Sequence, residues 1–141
     1  MMTIGDVIRE REPYFVRESA TALEAAKFLS GRNIGAACVL DDEGRLRGIF
    51  CERALLRRVV LAGRDAATTR VGDVMSVIKA VVDCTSTPHE ALELMEKHGT
   101  RYLPVVRGDR WVGMLAMRDI MRVELSEQGN ELRLLHEYIQ H

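Results

Sequence analysis

At 141 residues the chain is long enough for one compact domain and short for two independent ones. Its 20 basic and 21 acidic residues leave a net charge of −1, which carries no signature of nucleic acid or an anionic membrane as partner. No apolar run approaches the ~20 residues of a membrane span, and Met1-Met2-Thr3-Ile4-Gly5-Asp6 lacks the basic-then-apolar build of a signal peptide, so the compartment expected is the cytoplasm.

In chain order, one unit occurs twice. Gly5-Asp6-Val7 recurs as Gly72-Asp73-Val74, Thr21-x-x-Glu24-Ala25 as Thr87-x-x-Glu90-Ala91, Gly48 as Gly113, Arg53 as Arg118 and Arg57 as Arg122. The offset drifts only from 67 to 66 to 65, so the match keeps register over the whole unit.

Each unit opens with a short segment ending in Asp-Val, then a β-rich stretch, Tyr14–Val16 in the first copy and Ile78–Val82 in the second. A helix follows, started by a capping box: Thr21 with Glu24, and Thr87 with Glu90. Leu23, Ala26 and Leu29, and then Leu92 and Met95, recur at helical spacing as core-packing faces. A hairpin comes next: strands Ala36–Leu40 and Leu46–Phe50 around Asp42-Glu43-Gly44, and strands Tyr102–Val106 and Trp111–Leu115 around Arg107-Gly108-Asp109. The strands are almost continuously apolar, as expected when both faces are covered. A second helix closes each unit, Glu52–Leu61 and Met117–Leu125, and the polar link Gly63–Arg70 joins the copies. After Gly129-Asn130, the tail Glu131–Gln140 reads as an amphipathic helix with Leu132, Leu135 and Ile139 on one side.

The fold class expected is therefore α/β (α+β): two β-α-β-β-α units packed about a pseudo-twofold axis, with an extra C-terminal helix. One unit alone has too little core to stand. Residues 1–125 form the module, the motifs spanning about 3–62 and 71–125, and 126–141 the appended helix. The cysteines agree with a reducing compartment: Cys38 and Cys51 lie in apolar runs, Cys84 precedes a turn, and no CxxC spacing occurs. The histidines form no HxxxH or HExxH pattern, so no metal is expected.

The capped helices, the strand Leu103-Pro104-Val105-Val106 and the stretch Gly113-Met114-Leu115-Ala116-Met117-Arg118-Asp119-Ile120 together resemble the tandem cystathionine-β-synthase-type (CBS) domain pair, or Bateman module, in a stand-alone form. The resemblance covers roughly residues 3–125. It implies a regulatory, dimeric module with clefts between the two motifs, each holding an adenosine-type ligand such as AMP, ADP, ATP or S-adenosylmethionine, and an unidentified regulated protein as partner. In the family motif a Ser/Thr and an Asp after the glycine take phosphate and ribose. Here these places hold Ala116 and Asp119 in the second copy, and Cys51 and Ala54 in the first.

Physical chemistry supports the same residues. A carboxylate accepts from two vicinal hydroxyls, which suits Asp119 to ribose. The helix start at Met117 offers N–H groups to phosphate, and Arg118 adds a charge-assisted grip. Backbone near Arg101, Tyr102 and Pro104 is a candidate to read a purine edge, and Lys79, just ahead of the second unit's first strand, is a further phosphate candidate by analogy of position. In the first copy Arg53 and Cys51 remain as a weaker set. The bland alternative for Asp119 is a helix cap. For Arg53 and Arg118 the alternatives are ion pairs with Glu52 and Asp119, or an inter-unit salt bridge. Cys51 at a helix start is the one hint of a nucleophile, and no histidine falls in its register, so no enzyme is expected. A ligand-free dimeric protein-protein interaction module is the competing class.

Overall fold

The computed structural model describes residues 1–124. The tail helix expected over 131–140, the last residue of the helix expected at Met117–Leu125, and the boundary at 125 lie outside the described residues.

The elements run α1 (Ile4–Ile8), β1 (Phe15–Arg17), α2 (Ala22–Arg32), β2 (Ala36–Leu40), β3 (Leu46–Cys51), α3 (Glu52–Ala54), α4 (Val71–Val74), β4 (Val82–Asp83), α5 (Pro88–His98), β5 (Tyr102–Arg107) and β6 (Arg110–Ala116). Residues 117–124 are helical and are called α6. Two three-stranded sheets result, ordered β1-β2-β3 and β4-β5-β6, each with a parallel first pair and an antiparallel hairpin. The register shifts between Val39 and Leu40 in one hairpin and between Val105 and Val106 in the other, so even the irregularity is duplicated. Helix α2 ends on left-handed Asn33 and α5 on left-handed Gly99, both conformations that relieve the last carbonyls.

The opening segments are helical, and they are exchanged between units. Ile4 and Ile8 of α1 are buried with Val82, Leu103, Val105 and Leu115 of the second unit, while Val71 and Val74 of α4 are buried with Val16, Val39 and Phe50 of the first. Full burial of an Ile or Val side chain is worth roughly 1.5–3 kcal/mol, so the crossing clamps the units together. Backbone bonds fix it: Gly5 N–H donates to Cys84 O at 2.8 Å, and Gly72 N–H to Glu18 O at 3.0 Å. A Cβ at Gly5 would stand 3.2 Å from Cys84 O, and one at Gly72 3.3 Å from Glu18 O, which gives the repeated Gly-Asp-Val its meaning. Gly48 and Gly113 serve the same crossing. A Cβ at Gly48 would meet Met75 Sδ at 2.7 Å and Ser76 O at 2.8 Å, and one at Gly113 would meet Ile8 Cδ1 at 3.0 Å.

Three local expectations need correction. The strand expected over Ile78–Val82 shrinks to Val82–Asp83, because the preceding chain leaves α4 along β3, where Ser76 bridges Ile49. The capping box at Thr87 is complete, but at Thr21 only the hydroxyl half forms. There the flanking backbone is drawn to the inter-unit link, with Ala22 N–H donating to Thr69 O at 2.7 Å. The helix expected over Glu52–Leu61 is α-helical only to Ala54 and continues as a wider π-helical turn over Leu55–Val60. That turn carries Arg58 to the end of α4, where it donates to Val74 O, Met75 O and Ser76 Oγ.

Candidate functional site

Strand β6 ends at Ala116, where no side chain can cap the following helix. Asp119 does so from the third helical position: its Oδ2 accepts from Ala116 N–H at 2.8 Å. The same carboxylate takes both ends of the Arg11 guanidinium, at 3.0 Å and 2.9 Å, and Arg11 also donates to Met114 O at 3.3 Å. The Asp119 side chain is 10% exposed and that of Arg11 33%. Arg11 sits between α1 and β1 of the first unit, so this planar, charge-assisted pair crosses the chain's two halves. The helix-cap reading of Asp119 holds, and a partner that sequence reasoning missed holds the rest of it. One signal was available: in the other copy Asp119 becomes Ala54, and the counterpart of Arg11 becomes Val77 or Ile78. The two charges are present together or absent together.

Around this pair lies a cleft of about 440 Å³. Tyr14 and Ile34-Gly35-Ala36 of the first unit face Ala116, Arg118 and Asp119 of the second, with Arg11, Arg32 and Arg122 at the sides. Arg32 is held over the Phe28 ring at 4.8 Å and the Tyr14 ring at 5.5 Å. Among the described residues four arginines face one carboxylate here, a local excess of positive charge in a chain that carries −1 overall.

The pseudo-twofold generates a second cleft of about 480 Å³. Here Cys51, Glu52 and Arg53 of the first unit face Ser76, Val77, Lys79 and Gly99-Thr100-Arg101-Tyr102 of the second. A third hollow, about 660 Å³, joins the two and is lined by Arg101, Tyr102, Ala116, Met117 and Arg118. The residues expected around one site are therefore divided. Asp119, Arg118 and Ala116 stay together, whereas Lys79 lines the Arg53 and Cys51 cleft. Arg101 and Tyr102 line that cleft and the connecting hollow. Pro104 is buried within β5 opposite Met114 and lines none of the three. The reason is the twofold packing: each strand-to-helix junction faces the loop that precedes the middle strand of the other unit.

The helix starts are also less free than expected. Met117 N–H donates to Arg101 O at 2.8 Å, and Glu52 N–H to Gly35 O at 3.0 Å. Neither Arg53 nor Arg118 forms an ion pair among the described residues, so the alternative pairs with Glu52 and Asp119 do not form. The Tyr102 hydroxyl lies against Gly35, where an added Cβ would come within 2.9 Å. Burial pushes the Tyr102 phenol pKa up, and neighbouring Cys51 and Glu52 add to the shift. Trp111 anchors the inter-unit contact, its ring edge-on to Phe15 at 5.7 Å. No three metal-ligating side chains gather among the described residues, and no helix there is long and apolar enough to cross a membrane.

The sequence profile described as CBS domain matches residues 4–61 and 71–126, the two units in which the exchanged helices and both clefts are built. The chain belongs to the CBS-domain family. Among curated relatives, the CBS domain-containing protein CBSX3, mitochondrial, of Arabidopsis thaliana is 32% identical over 126 residues, 85% of this chain and 60% of the plant protein. The chain thus spans less than two thirds of that CBS relative. Among solved structures, a putative signal-transduction protein with CBS domains from Burkholderia ambifaria superposes with a TM-score of 0.82 at 28% identity, covering 90% of this chain and 96% of its own. A CBS domain protein from Pyrobaculum aerophilum, complexed with AMP, gives a TM-score of 0.76 at 26% identity over 84% of this chain and 89% of its own.

Proposed function

We propose that the chain is a regulatory module that binds an adenine ribonucleotide, of the AMP, ADP, ATP or S-adenosylmethionine type, in the cleft at Asp119. The observation that carries this is the fixed, largely buried Asp119 carboxylate at the edge of a cleft ringed by four arginines. A carboxylate that accepts two hydroxyls reads the ribose. Arg118 and Arg122, which form no ion pair among the described residues, supply positive charge for phosphate. The AMP complex of the Pyrobaculum relative supports the ligand class.

Without ligand, Arg11 occupies the carboxylate edge that a ribose diol needs. Nucleotide entry therefore exchanges one partner of Asp119 for another, and Arg11 is released toward the phosphates. Because Arg11 follows directly on α1, which is packed in the second unit, occupancy is felt at the crossing between units. The shift cannot exceed the ligand's preference for one arrangement over the other. The module acts as a homodimer, for which the exposed Leu56 and Val60 on the π-helical turn, and Leu61 just after it, supply an apolar face.

The test is calorimetric titration of AMP, ADP, ATP and S-adenosylmethionine into protein freed of retained ligand, with mass spectrometry of the denatured protein as the prior check. Saturable binding at one site per chain supports the reading. The second reading, a ligand-free interaction module, is favoured by both Asp119 oxygens being partnered within the chain already. Absence of binding by every nucleotide, with a dimer in sedimentation analysis, would select it.

A further inference from the structure

The cleft at Arg53 also holds a surplus of cations. Arg53, Arg58, Lys79 and Arg101 line it, with Glu52 as the only acid among the described residues. Arg58 is spent on the carbonyls at the end of α4. The side chains of Arg53, Lys79 and Arg101 make no ion pair and no hydrogen bond among the described residues, although Arg11, Arg17, Arg45 and Arg47 all find acids. Like charges facing one concavity repel, and a multiply charged anion placed between them removes that repulsion.

The same cleft has lost what reads a nucleoside. The Asp119 position is Ala54, 3% exposed and pointing no oxygen anywhere. The hydroxyl position is Cys51, and the counterpart of Arg11 is apolar. Glu52 does not replace the aspartate. Its carboxylate lies toward Gly35, about 3.7 Å from where a Cβ would stand, at the end shared with the connecting hollow. Among the described residues Ile49 and Val77 are the only large apolar side chains besides Tyr102 along the lining, a poor seat for a purine.

We infer that this second cleft is a binding site for a small polyphosphate anion, gripped by Arg53, Lys79 and Arg101 through its phosphate oxygens with no reading of ribose. The two clefts have thus diverged into different ligand classes. Inorganic pyrophosphate or tripolyphosphate and the tail of a nucleoside triphosphate share this chemistry, and the experiment separates them. The inference does not depend on a nucleoside binding at Asp119.

Pyrophosphate, tripolyphosphate, ATP and adenosine are titrated calorimetrically into the full chain, its Asp119→Ala variant and a Lys79→Gln/Arg101→Gln variant. Both substituted cations are exposed, so that variant keeps its fold, as circular dichroism verifies. Tripolyphosphate is expected to bind at a site that persists in Asp119→Ala, weakens at least tenfold in the double variant and weakens with added salt. In Asp119→Ala, ATP is expected to bind no tighter than tripolyphosphate. Cys51, the half-buried thiol in this cleft, is expected to be alkylated more slowly with tripolyphosphate present and at an unchanged rate with adenosine. Absence of saturable tripolyphosphate binding, undiminished binding in the double variant, loss in Asp119→Ala, or ATP binding tenfold tighter than tripolyphosphate in Asp119→Ala would each overturn the inference. Failure of adenosine to bind anywhere would instead weigh against the Asp119 reading alone.

Discussion

Replacing Arg11 by methionine tests the exchange at Asp119. Methionine keeps the unbranched stem and removes the guanidinium that spans both carboxylate oxygens. Hydrogen bonds to charged groups contribute about 1.5–3 kcal/mol when sheltered, and exposed ion pairs about 0.2–1. With side chains 33% and 10% exposed, this pair falls between, at roughly 1–2 kcal/mol. The free protein should lose that amount in urea denaturation. Adenosine, which has no phosphate to recapture Arg11, no longer has to displace the guanidinium, so its affinity should rise about 5–30-fold. AMP should gain less, because the released arginine otherwise contacts its phosphate. Calorimetry with both ligands reads the difference. A variant that is less stable yet binds adenosine no better than wild type would refute the exchange and leave Arg11 a purely structural clamp.

Two other outcomes follow from the packing and the charges. Gly48→Ala should cost more than Gly113→Ala within the ~1–3 kcal/mol typical of overpacking. The first Cβ strikes backbone at Ser76 O, 2.8 Å away, and the second only the end of Ile8 at 3.0 Å; equal losses in urea melts would contradict the seat assigned to Gly48. The turn carboxylates give an acid limb. Asp41 is held below the usual 3.8, first by the Arg45 N–H and then by its side chain, and Asp83 likewise by the Thr85 hydroxyl and N–H. A lowered folded-state pKa stabilises above 3.8 and is lost as pH falls through the lower value. Asp41→Asn should therefore be less stable than wild type at neutral pH, with the gap closing below pH 3.8; a gap that stays constant would remove the ionised carboxylate from the account.

The repeat, the hairpins and the helix caps were legible because each rests on local chemistry: a threonine before a helix, a glycine at a turn, a continuous apolar run of strand length on either side of it. The exchange of α1 and α4 was not, since Ile4, Ile8, Val71 and Val74 form short apolar runs that fit either core equally well. Only the paired glycines, Gly5 with Gly72 and Gly48 with Gly113, hinted at a close backbone approach. The twofold packing that follows from that exchange divides the expected site residues between two clefts. Asp119, Arg118 and Ala116 are close in sequence and stayed together, but Lys79 and Arg101 come from loops, and Tyr102 from the start of β5, whose partner depends on the twofold. Net charge hid the arginines for the same reason, since −1 over the whole chain says nothing of where the cations gather.

Ribose recognition by Asp119 is tested most directly by titrating AMP and 2′-deoxy-AMP into wild type and Asp119→Ala. AMP should bind wild type at least tenfold tighter than its deoxy counterpart, the equivalent of about 1.4 kcal/mol from one lost charge-assisted hydrogen bond. That preference should vanish in Asp119→Ala. Equal affinities for the two ligands in wild type, or the same preference persisting in the variant, would contradict it.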